Sequence, residues 1–128
     1  MARHGPHVFV VDDEVQITQS LSLILSREGF RVSSFNNPLE ALESMKTTSP
    51  DLLISDVMMP QLSGVELAIR TSQYRPECKI LLFTASTADL LKNARANGHN
   101  FRLMQKPVHP TELLQEIDAI RDKDCDGV

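Results

Sequence analysis

Apolar runs of strand length alternate with helical periodicities along the whole chain of 128 residues. Such alternation is typical of strand and helix units built onto a mostly parallel sheet. Two runs, Val8–Val11 and Ile80–Phe83, are continuously apolar, as expected of strands that are covered on both faces. The pattern predicts five strands, at His7–Val11, Arg31–Phe35, Leu52–Ser55, Lys79–Phe83 and Phe101–Gln105.

Five helices are predicted from apolar residues at helical spacing and from residues that favour helix ends. Asn37 is suited to be an N-cap, with Pro38 in the first helical position and Glu40 three residues after the cap. The residues predicted to face the core are Ile17, Leu21 and Ile24; Leu39, Leu42 and Met45; Val65, Ala68 and Ile69; Leu90, Leu91 and Ala94; and Leu113, Ile117 and Ile120. The other predicted helix ends are starts at Ser63 with Glu66, at Ser86 with Asp89 and after Pro110, and stops at Gly29 and Gly98.

Composition describes one globular domain: 41% of the residues are hydrophobic, 23% are charged, and the net charge is −4. We expect an extension at residues 1–6, a domain at 7–121 and a tail at 122–128, with no room for a separate output device. A cytoplasmic protein without a membrane span is expected, because no long apolar run or signal peptide occurs. Cys78 and Cys125 are too few for a disulfide framework, and mild acidity disfavours direct nucleic-acid binding.

Polar residues follow four of the predicted strands at their carboxyl ends. Asp12 and Asp13 follow the first strand, Asp56 the third, Thr84 the fourth and Lys106 the fifth. Because parallel strands return to the same edge of the sheet, these side chains are expected to meet at one rim. Ligands of open α/β sheets bind at that edge.

Three carboxylates gathered in one place repel each other, and their burial raises their pKa values unless a cation compensates. Mg²⁺ prefers oxygen ligands, binds one or two carboxylates directly, and keeps water and phosphate oxygens in its other positions. A carboxylate oxygen left free can attack phosphorus and form an aspartyl phosphate, while the metal and a Lys neutralise the transferring group. The rim therefore predicts a phosphoryl-accepting Mg²⁺ site.

These residues stand in motifs that resemble those of a known family. The motifs are Val11-Asp12-Asp13-Glu14, Ser55-Asp56-Val57-Met58-Met59-Pro60 with Gly64, Thr84-Ala85, and Lys106-Pro107. With this ordered set, the chain resembles the receiver domain of two-component response regulators over about residues 7–121. The resemblance implies a flavodoxin-like α/β fold, a single doubly wound domain with five helices and a five-stranded parallel sheet in the order 2-1-3-4-5.

The resemblance also implies a role for each acid of the rim. Asp56 corresponds to the phosphoacceptor and Asp13 to a direct Mg²⁺ ligand, while Asp12 would hold a metal-bound water. Asp56 itself and the main-chain carbonyl of Met58 would complete the protein ligands of the metal.

The remaining implied roles belong to the switch. Thr84 corresponds to the switch hydroxyl and Lys106 to the cation that pairs with the phosphoryl group, and the Lys106–Pro107 bond is usually cis in the family. Family members usually place Tyr or Phe three residues before this Lys, where this chain has Leu103, and Phe101 lies five before. Either a bulge realigns Phe101 or the usual aromatic rotation is absent.

The function implied is that of a phospho-switch rather than an enzyme, catalysing at most its own phosphorylation and dephosphorylation. A histidine kinase or histidine phosphotransfer protein would donate the phosphoryl group. The face of the fourth helix, fifth strand and fifth helix would then bind an effector protein or a second copy. Two alternatives are a phosphorylation-independent interaction module and an aspartyl-phosphate phosphohydrolase. The hydrolase would normally carry a second acid where Met58 stands, and a substrate-covering cap.

Overall fold

The computed structural model describes residues 5–84, 101–106 and 109–126. The strands are β1 (His7–Val11), β2 (Arg31–Phe35), β3 (Leu52–Asp56), β4 (Lys79–Thr84) and β5 (Arg102–Gln105). The helices within the described residues are α1 (Val15–Arg27), α2 (Pro38–Ser44), α3 (Gly64–Tyr74) and a C-terminal helix (Pro110–Asp126). The fourth predicted helix, with Ser86, Asp89 and the apolar residues Leu90, Leu91 and Ala94, lies outside the described residues.

The strands form one parallel sheet in the order β2-β1-β3-β4-β5, which confirms the predicted topology. Two strands end one residue later than predicted, because Asp56 still pairs with Phe83 and Thr84 with Gln105. The last residues of β3 and β4 are therefore also members of the candidate site. The fifth strand begins at Arg102 rather than at Phe101.

Side chains of alternating residues enter two separate core layers, one on each face of the sheet. In β1, Phe9 and Val11 pack on the side of α2 and α3, whereas Val8 and Val10 pack on the side of α1 and the C-terminal helix. Both layers are buried, which accounts for the continuous apolar run of this strand. The predicted core residues of the C-terminal helix, which are Leu113, Ile117 and Ile120, are all buried.

The helix ends follow the predicted capping pattern. Asn37 Oδ1 accepts a hydrogen bond from the Leu39 N–H at 2.8 Å, and Ser63 Oγ accepts one from the Glu66 N–H at 3.1 Å. After α1, Gly29 adopts a φ of 92°, and its N–H donates to the Ser26 carbonyl. This left-handed residue ends the helix as predicted.

The buried face of α1 differs from the predicted one by a rotation of about one residue. Thr18, Leu21 and Leu25 are buried. Ile17 and Ile24 are only half-buried, and Ile17 packs at the margin of the core. The helix carries apolar residues on several faces, so spacing alone does not decide which of them meets the sheet.

The prediction for α2 was wrong at Leu39, which is 48% exposed. The residues of this helix that meet the core are Pro38 and Ala41, followed by Met45 at its C-cap. Their spacing of three and then four residues is also helical. Met45 belongs both to this observed face and to the predicted one, so the spacing did not decide between them. Leu42 packs against the core only partly.

The C-terminal helix continues to Asp126, so most of the segment predicted to be a tail is helical. No Gly or Pro interrupts the sequence after Pro110 until Gly127, and the helix has no breaker in this stretch. Among the described residues, no helix is both long enough and apolar enough to cross a bilayer.

Candidate phosphoacceptor and metal site

Three carboxylates meet at the carboxyl edge of the sheet. Asp12 is the first residue after β1, Asp13 is the second, and Asp56 is the last residue of β3. One oxygen of each carboxylate lies within 4.8 Å of the others. Asp12 is 1% exposed and Asp56 is 7% exposed, whereas Asp13 is open to solvent. The cluster thus has two acids embedded in the fold and one at its mouth.

Lys106 brings a positive charge to this cluster from the end of β5. Its Nζ lies 3.2 Å from Asp12 Oδ2, 3.2 Å from Asp56 Oδ1 and 4.0 Å from Glu14 Oε1. The Lys106 N–H donates to the Thr84 carbonyl at 2.8 Å, which fixes the backbone from which the ammonium extends. The sequence prediction that Lys106 and the acids meet at one rim is therefore reproduced in the geometry.

Burial and charge act in opposite directions on the two ends of this ion pair. The pKa of Asp12 is raised, mainly by burial and also by the nearby charge of Asp56. The hydrogen bond from the Glu14 N–H and the charge of Lys106 act in the opposite direction but do not outweigh burial. Burial alone would lower the pKa of Lys106, but the charges of Asp12 and Asp56 outweigh it and raise that pKa. Lys106 therefore remains protonated at neutral pH. Its single positive charge does not balance the three carboxylates of the cluster.

The loop after β1 is held by hydrogen bonds to its main chain. The Asp12 N–H donates to the Phe35 carbonyl at 3.1 Å, and Asn36 Nδ2 donates to the Asp12 carbonyl at 2.8 Å. The Glu14 N–H donates to Asp12 Oδ1 at 2.9 Å. Asn36 was not predicted at the rim, and Glu14 was named only as part of a motif, without a role. Asn36 directly follows β2, so the same rule that selected the other rim residues could have found it.

The backbone around Asp56 is closely packed against the start of α3. The Val57 N–H donates to the Phe83 carbonyl at 3.0 Å, and the Gly64 N–H donates to the Val57 carbonyl at 2.8 Å. A Cβ added at Gly64 would lie 2.1 Å from the Asp56 carbonyl oxygen. Only glycine fits here, which explains its place in the motif. Met58 follows with a side chain that is 75% exposed.

The predicted switch residues lie on β4, on β5 and directly before β5. Thr84 ends β4 as a buried residue and is in register with Gln105. Leu103 and Phe101 are both partly buried and pack against the core layer on the side of α2 and α3. Pairing with β4 runs without a bulge from Arg102 to Gln105, so Leu103 keeps the position three residues before Lys106. The cis-peptide candidate Pro107 lies outside the described residues.

The donor set fits a small divalent cation. All three side chains offer carboxylate oxygens, the ligands that Mg²⁺ prefers, and their oxygens are close enough to share one ion directly or through water. The single ammonium of Lys106 faces at least two carboxylates, so the cluster retains negative charge. The exposed Asp13 leaves a path from solvent.

Comparison with known proteins agrees with this arrangement. A family model described as the response regulator receiver domain matches residues 8–118. The chain belongs to this family. This receiver domain is 28% identical over 113 residues to the response regulator receiver protein CpdR of Brucella abortus, covering 88% of this chain and 94% of CpdR.

Other relatives are longer. The receiver domain is 34% identical to the alkaline phosphatase synthesis transcriptional regulatory protein PhoP of Bacillus subtilis, covering 88% of this chain but 47% of PhoP. The chain thus spans nearly all of CpdR but about half the length of a transcriptional regulator such as PhoP.

Solved structures share the fold. A CheY-like receiver domain protein from Methanospirillum hungatei superimposes with a TM-score of 0.87 at 25% identity, covering 96% of this chain and 98% of the other. The response regulator TrrA of Thermotoga maritima, solved in complex with Mg²⁺-BeF, gives a TM-score of 0.80 at 28% identity, covering 91% and 99%.

Proposed function

We propose that this receiver domain accepts a phosphoryl group on Asp56 from a histidine kinase or a histidine phosphotransfer protein. The observation that carries the proposal is the position of the Asp56 carboxylate, which lies 3.2 Å from the Lys106 ammonium and belongs to the acidic cluster with Asp12 and Asp13. An acceptor carboxylate, a cation for the incoming phosphoryl oxygens and a set of metal-ligand oxygens then occupy one rim of the sheet.

In the proposed step, a carboxylate oxygen of Asp56 attacks the phosphorus of a phosphohistidine. An O–P bond forms as the P–N bond breaks, and the electron pair of that bond stays on the departing imidazole nitrogen. Lys106 Nζ is positioned to pair with the oxygens of the transferred group. The product carries a larger negative charge than the carboxylate, so Lys106 is drawn from Asp12 toward the phosphoryl oxygens.

The residues that would hold Mg²⁺ are Asp13, Asp56 and the Met58 main-chain carbonyl directly, and Asp12 through water. When bound, the metal neutralises charge on the phosphoryl oxygens. Asp12 is kept in place without the metal by its bonds to the Glu14 N–H and to Lys106. The Asp12 carboxylate is therefore already positioned before a phosphoryl donor binds.

The conformational change caused by phosphorylation would be transmitted from the site through β5. Lys106 follows this strand directly, and at its other end Arg102 Nε pairs with Glu116 Oε1 of the C-terminal helix at 2.6 Å. A movement of Thr84 and Lys106 toward the phosphoryl group would shift an equilibrium in β5 and in the helices beside it. That face would bind an effector protein or a second copy of the domain in the cytoplasm, without direct nucleic-acid binding by this chain.

The proposal is tested with acetyl phosphate as a small phosphoryl donor and intact-mass spectrometry as the readout. In the presence of Mg²⁺, the protein should gain the mass of one phosphoryl group, and the Asp56→Asn variant should gain none. The matched control is Asp118→Asn, which removes an exposed acid of the C-terminal helix and should be labelled like the wild type.

Labelling should also disappear when Mg²⁺ is removed with a chelator. Equal labelling of the Asp56→Asn variant would overturn the assignment of the acceptor. A wild type that gains no phosphoryl group, although it binds Mg²⁺, would favour a phosphorylation-independent interaction module.

A further inference from the structure

We propose that Asn36 is a positioning residue that fixes the acidic pair Asp12 and Asp13 for metal binding and phosphorylation. Asn36 lies between β2 and α2, and no role at the rim follows from the motifs of the sequence. Its side chain nevertheless contacts the main chain of Asp12 at 2.8 Å, at the carbonyl that joins this residue to Asp13.

The side-chain amide of Asn36 uses both of its hydrogens. Nδ2 donates to the Asp12 carbonyl at 2.8 Å and to Thr18 Oγ1 at 3.1 Å, and both acceptors belong to buried residues. The Thr18 hydroxyl donates its own hydrogen to the Val15 carbonyl at 3.0 Å, so Oγ1 accepts the hydrogen bond from Asn36. A main-chain carbonyl only accepts, so the NH₂ end of the amide must point toward Asp12.

The bond from Asn36 takes the place of a main-chain hydrogen bond of the sheet at the Asp12 carbonyl. The Asp12 N–H still pairs with the Phe35 carbonyl in the manner of the β1–β2 ladder, at 3.1 Å. The chain then turns away into α2, which starts at Pro38 after its N-cap Asn37. The Asn36 side chain supplies a donor to the Asp12 carbonyl at this point, and the carbonyl would otherwise lose a bond near the buried rim.

The consequence is that the segment of Asp13 and Glu14 is held at both ends. On one side Asn36 fixes the Asp12 carbonyl, and on the other it contacts Thr18 in the first turns of α1. Asp13 itself is exposed, so the direction of its carboxylate depends on this backbone. Residues that orient metal ligands from outside the ligand set typically change metal affinity when replaced.

The inference rests on the proposed function, and Mg²⁺ affinity tests it separately from phosphorylation. Mg²⁺ alone is titrated into wild type and Asn36→Ala, with the amide signals of residues 12–14 followed by NMR. The expected result is a dissociation constant for Mg²⁺ about 10-fold higher in Asn36→Ala. In the metal-free variant, amide hydrogen exchange at Glu14 should be roughly fivefold faster, because one hydrogen bond no longer restrains the loop.

Asn37→Ala is the matched control. It removes the neighbouring asparagine, whose side chain caps α2 by accepting a hydrogen bond from the Leu39 N–H. It should weaken α2 but leave the Mg²⁺ dissociation constant unchanged. Wild-type Mg²⁺ affinity in Asn36→Ala, or an equal loss in Asn37→Ala, would overturn the inference. Failure of the wild type to label on Asp56 would instead overturn the proposed function, and the Mg²⁺ comparison would still decide the role of Asn36.

Discussion

At the level of single residues, Lys106 is the centre of the charge balance at the rim. It contacts the two buried carboxylates at equal distances of 3.2 Å, and Glu14 lies 4.0 Å away. One positive charge therefore serves several negative ones, and the acid that is most buried, Asp12, has a raised pKa. A divalent cation and a phosphoryl group would each change which carboxylate Lys106 neutralises.

Gly64 links Asp56, the proposed acceptor, to the start of α3, and its replacement should damage both stability and labelling. In Gly64→Ala the new Cβ would meet the Asp56 carbonyl oxygen at 2.1 Å, so the backbone of the acceptor must shift. We expect a loss of about 1–3 kcal/mol in the free energy of unfolding, the usual cost of overpacking. Phosphorylation by acetyl phosphate should also slow. Urea unfolding and intact-mass time courses measure the two effects.

Gly29→Ala provides the control for this substitution. Gly29 has a positive φ of 92° with no atom near the added Cβ, so alanine there is strained by its backbone alone. The variant should lose stability and keep wild-type labelling kinetics. If Gly64→Ala also labelled at the wild-type rate, the close contact with Asp56 would have no part in the site.

Most rim residues could be predicted from the sequence, because strand ends and chemistry together select them. Asp12, Asp56, Thr84 and Lys106 each follow or end a strand, and parallel topology then requires them to meet. Asn36 fulfils the same condition but escaped the sequence analysis. Of the two neighbouring asparagines that precede α2, Asn37 was predicted to cap the helix, but only the contacts show that Asn36 reaches Asp12.

At the level of elements, strands were more predictable than helix faces. The bounds of β1 and β2 agree with the predicted ones. For β1 the reason is that an apolar strand covered on both faces has one clear extent. In α1, apolar residues occur on more than one face, and the sheet selects Leu25 over Ile24. The choice depends on packing against β1 and β2, which spacing within the helix does not contain.

Substitution of two leucines tests the observed face of α1. Leu25 is fully buried, whereas Leu23, two residues earlier, is 56% exposed. Leu25→Ala should lower the free energy of unfolding by about 2–5 kcal/mol, through lost burial and the cavity left behind. Leu23→Ala should change it by roughly 0.5 kcal/mol or less. Equal losses in urea unfolding of the two variants would contradict the assignment of the buried face.

At the level of the whole molecule, the sheet brings together charges that are far apart in sequence. Asp12 and Lys106 are 94 positions apart and lie in contact because β1 and β5 both end at the same edge. Parallel topology thus assembles a site whose acids repel each other, and the fold must sustain that repulsion when no metal is bound. A metal bound at the rim would therefore stabilise the fold.

The burial of Asp12 at the rim predicts how the stability of the metal-free protein changes with pH. The pKa of Asp12 is raised by burial, so the folded protein holds this proton more tightly than the unfolded chain does. The stabilisation from the protonated acid is greatest below the unfolded pKa and is lost as pH rises through the folded pKa. Lys106, with its raised pKa, stays protonated throughout. Relative to Asp12→Asn, the wild type should therefore lose stability as the pH rises from about 3.8, the ordinary pKa of an Asp carboxyl, through the raised pKa of Asp12 in the folded protein.

Mg²⁺ should reverse this loss in the wild type. At neutral pH, a hundredfold excess of Mg²⁺ over its dissociation constant should add about 2.7 kcal/mol to the free energy of unfolding, because the ion binds only the folded site. Asp12→Asn lacks one rim carboxylate and should gain less, whereas Asp118→Asn should gain as much as the wild type. Urea unfolding at several pH values, with and without Mg²⁺, measures both effects. A difference between wild type and Asp12→Asn that stays constant with pH would show that Asp12 is not penalised by its burial.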